Sequence, residues 1–147
     1  SLRQDLLNST WLSIREKIVA SPPRKILIVE DSALMRQLYG AVLSGEETEL
    51  IYAENGAEAL DTATQTPDFD LFIVDINMPQ MDGLEFLRRL RGELGLTDAP
   101  ALVVSTEGEE QDQEAALEAG ATGYLKKPWT PPDLLAAVRR VQEAKQA

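Results

Sequence analysis

Four short apolar runs in this chain end on residues that can do chemistry. Lys25-Ile-Leu-Ile-Val leads into Glu30-Asp31, Asp70-Leu-Phe-Ile-Val into Asp75, Pro100-Ala-Leu-Val-Val into Ser105-Thr106, and Gly123-Tyr-Leu into Lys126-Lys127-Pro128. If the runs are neighbouring strands, three carboxylates, a hydroxyl and an ammonium meet on one rim. Clustered carboxylates raise each other's pKa unless a cation neutralises them. An all-oxygen ligand set suits a hard, water-rich ion, Mg²⁺ above all. A lysine gives a compact positive charge for a phosphoryl oxygen, and a hydroxyl can donate to another. A carboxylate can itself be the nucleophile and form an aspartyl phosphate. Phosphoryl transfer asks for little beyond such positioning and charge neutralisation. Singly, each feature has an ordinary explanation. An acidic pair after a strand is a turn or a helix cap, Asp82-Gly83 a turn, and Lys126-Lys127 solubilising charge. Their recurrence at successive strand ends is what points to a site.

Those runs must be held by a regular scaffold, and the pattern supplies one. Strands are expected at Lys25 to Glu30, Glu49 to Ala53, Asp70 to Asp75, Pro100 to Ser105 and Gly123 to Lys126, mostly apolar throughout, as in strands buried on both faces. Between them the apolar spacing becomes helical. Ser32 to Leu43 carries Leu34, Met35, Leu38 and Val42 behind a Ser32 N-cap, and Asn55 to Gln65 carries Ala59, Leu60 and Ala63. Gly83 to Leu90 carries Leu84, Leu87 and Leu90, Glu109 to Ala119 a fourth helix, and a long fifth starts at Thr130 with Pro131 and Pro132 in its first turn. Five strands alternating with five helices predict an α/β fold, a doubly wound parallel sheet with right-handed crossovers. Ligands of such sheets bind at the strands' C-terminal ends, beside the point where strand order reverses.

Composition narrows the chemistry further. The 147 residues are one domain's worth and include no cysteine and no histidine. That excludes disulfides, thiol nucleophiles, Cys/His zinc sites, an imidazole base and a histidine-bearing phosphotransfer domain. With 14 basic and 25 acidic side chains, net −11, the chain lacks the basic face of a general nucleic-acid binder. No apolar run is long enough to span a membrane and no secretory leader is present, so a soluble cytoplasmic protein is expected.

The charge is unevenly spread. Residues 1–25 carry five basic and two acidic groups, net +3, which leaves −14 for residues 26–147. The shift coincides with Ser21-Pro22-Pro23, a break signal. Ahead of it Leu7, Trp11, Ile14 and Ile18 form one helical apolar stripe. Residues 1–23 are therefore read as an amphipathic helix with a proline linker, and residues 24–147 as the main domain. The stripe can pack on its own domain or serve as a connector or pairing helix; two turns of seam do not decide.

The main domain resembles the receiver domain of two-component response regulators, and most of all the single-domain chemotaxis-type regulators. The resemblance lies in Ile-Leu-Ile-Val-Glu30-Asp31-Ser32, in Phe-Ile-Val-Asp75-Ile-Asn77-Met78-Pro79-Gln-Met81-Asp82-Gly83-Leu84-Glu85, in Val-Val-Ser105-Thr106, and in Gly120-Ala-Thr-Gly-Tyr124-Leu-Lys-Lys127-Pro128-Trp129. It spans about residues 25–145. It implies a flavodoxin-like (βα)5 fold with strand order 2-1-3-4-5 and a cis Lys127–Pro128 bond. It implies Asp75 as phosphoacceptor, Glu30, Asp31 and Asp75 as Mg²⁺ ligands with the backbone carbonyl of Asn77, and Ser105 and Lys127 as partners of the phosphoryl group. Tyr124 would be the switch aromatic, and Asn77 and Glu107 would tune phosphoryl lifetime. Glu30 stands where many relatives have Asp, Ser105 where Thr is common, and Trp129 where Phe is usual. All three keep the chemical character of the position.

The implied function is a phosphorylation-controlled switch, not an enzyme beyond its own phosphotransfer and autodephosphorylation. The donor would be a sensor histidine kinase or phosphotransfer protein, since this chain has no histidine to supply the group. The output would be a downstream protein bound on the face of the fourth helix, fifth strand and fifth helix, with phosphorylation-linked dimerisation a further option and neither nucleic acid nor membrane a direct partner. The chain is a stand-alone regulator or a receiver cut from a larger multidomain regulator or hybrid kinase; both remain open. A different class, a small Mg²⁺-dependent aspartyl-phosphate phosphatase of the haloacid-dehalogenase type, expects a second Asp where Asn77 stands. A module that keeps the fold without phosphorylation would be expected to have lost the acceptor or the lysine, and both are present.

Overall fold

The computed structural model describes residues 22–76 and 81–146. The helix expected around Leu7 to Ile18, and Asn77, lie outside the described residues. Strands β1 (Lys25–Val29), β2 (Glu49–Ala53), β3 (Leu71–Asp75), β4 (Ala101–Ser105) and β5 (Gly123–Lys126) alternate with helices α1 (Ala33–Leu43), α2 (Gly56–Gln65), α3 (Gly83–Gly92), α4 (Glu110–Ala119) and α5 (Pro131–Gln146). The strands form one parallel sheet in the order β2-β1-β3-β4-β5. This is the expected doubly wound topology. The order reverses between β1 and β3, so the strands that end at Glu30-Asp31 and Asp75 lie side by side, Val29 opposite Val74.

Side chains alternate between the faces of a strand, and here both faces are buried. Leu27, Val29, Phe72, Val74 and Val103 pack against Ala59 and Ala63 of α2, Phe86, Leu87 and Leu90 of α3, and Ala116 of α4. Ile26, Ile28, Leu71, Ile73 and Val104 face the other way, onto Tyr39 of α1 and Leu134, Ala137 and Val138 of α5. Each such large side chain contributes about 1.5–3 kcal/mol by leaving water. The strands therefore read as unbroken apolar runs, and a polar residue at a strand end stands out.

Caps set where the helices begin. Ser32 Oγ accepts from Met35 N at 3.3 Å, Asn55 Oδ1 from Glu58 N at 2.8 Å, and Asp82 Oδ1 from Glu85 N at 2.9 Å. At α5, Thr130 Oγ1 accepts from Asp133 N at 3.3 Å while Asp133 Oδ2 accepts from Thr130 N at 3.0 Å, a reciprocal capping box. Glu109, expected to open the fourth helix, occupies its N-cap without a capping bond to the backbone; its carboxylate accepts from Gln111 Nε2 at 3.1 Å instead. The face of α1 differs from the expected one. Tyr39 is buried and Met35, Val42 and Leu43 are half-buried, whereas Leu34 and Leu38 are 65% and 44% exposed. Two apolar stripes run side by side on that helix, and only the sheet decides which one is covered.

Candidate functional site

Each site residue is delivered by a strand end. Glu30 and Asp31 follow β1, Asp75 ends β3, Ser105 ends β4, and Lys127 follows β5 at the start of a cis bond to Pro128. Glu30, Asp75 and Ser105 are all buried, while Asp31 is exposed at the mouth of the site. Carboxylate oxygens of Glu30, Asp31 and Asp75 lie within 4.8 Å of one another. Lys127 Nζ bonds both Asp75 Oδ2, at 3.0 Å, and Glu30 Oε1, at 3.2 Å. The structure thus gathers the expected acidic trio and the lysine.

Electrostatics follow from that crowding. Glu30 is pushed up to about 7, first by burial, then by its hydrogen bond with Asp31 and the neighbouring Asp75 charge, with Lys127 pulling the other way. Burial lowers the Lys127 ammonium, but its bonds to Asp75 and Glu30 outweigh that and leave it raised. Among the described residues one ammonium therefore pairs with two of the three gathered carboxylates. The pocket is short of positive charge, its donors are all hard oxygens, and the exposed Asp31 leaves an approach from solvent. This donor set fits a divalent ion such as Mg²⁺.

Ser105 and Tyr124 meet through one loop residue. Glu107 N donates to Ser105 Oγ at 3.0 Å, and the Tyr124 hydroxyl donates to the Glu107 carbonyl. Tyr124 is half-buried against the core, whereas the Glu107 side chain is exposed. The hydroxyl at the sheet rim and the aromatic on the adjacent strand are therefore joined by the backbone of the β4–α4 loop. Trp129 packs on Tyr39 with ring centroids 5.0 Å apart. With Met35, Leu38 and Pro128 it walls an apolar recess beside Lys127.

Two further contributors were not singled out from sequence. Arg36 Nη1 donates to the Glu30 carbonyl at 2.9 Å, and its guanidinium also approaches Glu54 at 3.6 Å, so α1 holds the acidic turn from behind. Its position one helical turn after Ser32 was the only signal. Gly83 is the second. A Cβ there would lie 2.5 Å from the Asp75 carbonyl and 2.7 Å from Val74 Cγ1, so only glycine lets α3 start against the end of β3. Asp82-Gly83, which reads as an ordinary turn, is a cap followed by an enforced close approach.

Comparison with known proteins decides the family. The description "Response regulator receiver domain" matches residues 26–139. The chain belongs to the response regulator receiver domains. This receiver is 39% identical to a "Chemotaxis protein CheY homolog" of Campylobacter jejuni over 109 residues, 73% of this chain and 83% of the relative. It is 36% identical over 109 residues to "Chemotaxis protein CheY1" of Helicobacter pylori, covering 73% and 87% of the two chains. It is also 33% identical over 118 residues to the "Phosphate regulon transcriptional regulatory protein PhoB" of Escherichia coli, covering 80% of this chain but only 51% of that one. Among solved structures it is similar to the chemotaxis response regulator CheY4 of Vibrio cholerae, with a TM-score of 0.74, 38% identity, and 80% and 97% of the two chains covered. A receiver of the CheY type places the chain in two-component signalling. No helix among the described residues is long and apolar enough to cross a membrane.

Proposed function

We propose that this receiver accepts a phosphoryl group on Asp75 and converts it into a change on a protein-binding face. The observation that carries this reading is the junction of the three carboxylates with Lys127, whose ammonium bonds Asp75 at 3.0 Å. Lys127 bonds both Glu30 and Asp75; Asp75, the last residue of β3, is the one that stands at the receiver family's acceptor position, and it is taken as the nucleophile. Its carboxylate oxygen forms the new bond to phosphorus while the bond to the donor's nitrogen breaks and the donor leaves. Lys127 then neutralises a phosphoryl oxygen as it now neutralises Asp75. Glu30, Asp31 and Asp75 are the side chains that would hold Mg²⁺, joined by the Asn77 carbonyl, and the ion when bound neutralises phosphoryl oxygens.

Ser105 supplies a hydroxyl for the phosphoryl group, and its link through Glu107 to Tyr124 gives the route outward. Drawing Ser105 toward Asp75 strains the bond from Glu107 N and, through the same residue, the bond from Tyr124. Tyr124 lies on β5, between α4 and α5, so its displacement alters the face expected to bind a target. Asn77, two residues after the acceptor in sequence, and the exposed Glu107, two after Ser105, are the positions that tune the lifetime of the phosphoryl group. The donor is a histidine kinase or a phosphotransfer protein. A receiver belonging to a longer regulator or hybrid kinase is the second reading. It draws on the half-length match to PhoB and on the similarity, 31% identity and TM-score 0.71, to the receiver of a histidine kinase from Syntrophus aciditrophicus.

Acetyl phosphate with Mg²⁺ tests the proposal by intact mass. The chain should gain the mass of one phosphoryl group, with none gained when Mg²⁺ is chelated or in Asp75→Ala. An adduct that survives Asp75→Ala overturns it.

A further inference from the structure

Lys127 reaches two buried carboxylates with a flexible four-carbon stem, so its ammonium stays in place only if the backbone beneath it is fixed. On one side the sheet fixes that backbone, where Lys127 N donates to the Ser105 carbonyl at 2.7 Å. On the other, the Thr130–Asp133 capping box fixes the start of α5. Between them lies Trp129, packed on Tyr39 of α1 with ring centroids 5.0 Å apart and planes inclined at 41°, the spacing of a favourable aromatic pair. Tyr39 is 1% exposed and is the largest fully buried side chain among the described residues. Burial pushes its phenol up, and the nearby Trp129 N–H pulls it partly back. That indole N–H nonetheless makes no hydrogen bond of good geometry, so ring packing is what holds Trp129. Trp129 also borders a recess of about 330 Å³ with Met35, Leu38 and Pro128, so a ring no longer backed by Tyr39 has space to turn into.

We propose that Tyr39 is a positioning residue for phosphoryl transfer: its ring backs Trp129, and through that ring it keeps the Lys127 ammonium on Asp75. The proposal rests on the reading of Asp75 as phosphoacceptor. Tyr39 acts through its neighbours and not on phosphorus itself. Its place on α1 fits the role. Arg36, three residues earlier and so on the same side of the helix, already donates to the Glu30 carbonyl at 2.9 Å. One helix thus grips the carboxylate side of the site with Arg36 and the ammonium side with Tyr39. The hydroxyl of Tyr39 is not what the role requires; the flat ring is, because the contact with Trp129 is one of stacked and tilted faces.

The rate of transfer from acetyl phosphate at saturating Mg²⁺, followed by intact mass on the full chain, tests this. Small misplacements of a reacting group are costly, so Tyr39→Leu should slow transfer about tenfold, while Tyr39→Phe, which keeps the ring, should stay within about twofold. The decisive arm is a double-mutant cycle. In a Lys127→Met background the loss from Tyr39→Leu should vanish, because the group that Tyr39 positions is gone. Val42→Ala thins the packing of α1 on the same face of the sheet but lies outside the recess beside Trp129, and should leave the rate unchanged. Trp129→Leu removes the other ring of the pair and repeats the cycle if Tyr39→Leu does not fold. A full rate in Tyr39→Leu, a loss in Tyr39→Phe as deep as in Tyr39→Leu, or the same fold-loss with and without Lys127 overturns the proposal. A chain that gains no phosphoryl group before any substitution, or gains one despite Asp75→Ala, fails at a different point: it overturns the reading of Asp75, and the role of Tyr39 with it.

Discussion

Lys127 is the only ammonium bonded to the buried carboxylates among the described residues, so Lys127→Met isolates what it does. The substitution keeps the unbranched stem but lacks the terminal ammonium, removes bonds of 3.0 Å to Asp75 and 3.2 Å to Glu30, and leaves those two carboxyl groups buried without their cation. Breaking a buried pair by deleting one partner costs about 3–5 kcal/mol. The size depends on pH in a direction the site dictates. Lys127 is one of the groups holding Glu30 down, so without it Glu30 titrates above about 7. A carboxyl group raised in the folded state stabilises the fold at low pH and loses that contribution as pH rises through its folded value. Above pH 7 the wild type has already lost it, whereas the variant is still losing it. The stability gap should therefore widen by about 1.4 kcal/mol per pH unit above 7, until Glu30 in the variant ionises. Urea unfolding with chelator present, at pH 6, 7 and 8, measures this. A gap that stays flat or narrows from pH 7 to pH 8 would refute the electrostatic reasoning.

Other consequences can be checked separately. Mg²⁺ binding must displace the proton held by Glu30, so its apparent affinity should fall by up to about tenfold per pH unit below 7, with proton release visible by calorimetry in buffers of different ionisation enthalpy. Gly83→Ala places a methyl 2.5 Å from the Asp75 carbonyl, and overpacking of that kind costs about 1–3 kcal/mol. Gly92→Ala, with nothing within 4 Å of its new Cβ, should be neutral or stabilising in the same urea experiment. Arg36→Met removes a charged donor from the Glu30 carbonyl and should cost about 1–2 kcal/mol, weakening Mg²⁺ binding while Asp75 keeps its contact with Lys127.

Much of the site was legible because a parallel sheet makes its own grammar. Strands buried on both faces tolerate almost nothing polar, so Glu30, Asp75, Ser105 and Lys127 announced themselves as strand ends, and the α/β alternation put those ends on one rim. The cap at Ser32 was readable for a local reason, a side chain accepting from its own backbone three residues on. What was not legible is tertiary. Leu34 and Leu38 share helical spacing with the residues around Tyr39, and nothing within α1 says which stripe meets the sheet. Arg36 acts through a carbonyl six residues away, and a carbonyl leaves no trace in a sequence. Gly83 looked like a turn because its constraint comes from the end of β3, not from its own neighbours. The Glu107 backbone that joins Ser105 to Tyr124 was likewise invisible, since only its side chain is written in the sequence.

On the proposed function Asp75, and no other acid of the trio, carries the phosphoryl group. Borohydride reduction converts an aspartyl phosphate to homoserine, so treatment after acetyl phosphate and Mg²⁺, followed by peptide sequencing, reads out the acceptor directly. Homoserine is expected at position 75 alone. Homoserine at position 31, hydroxynorvaline at position 30, or no reduced residue under conditions that saturate the chain with Mg²⁺, would contradict it.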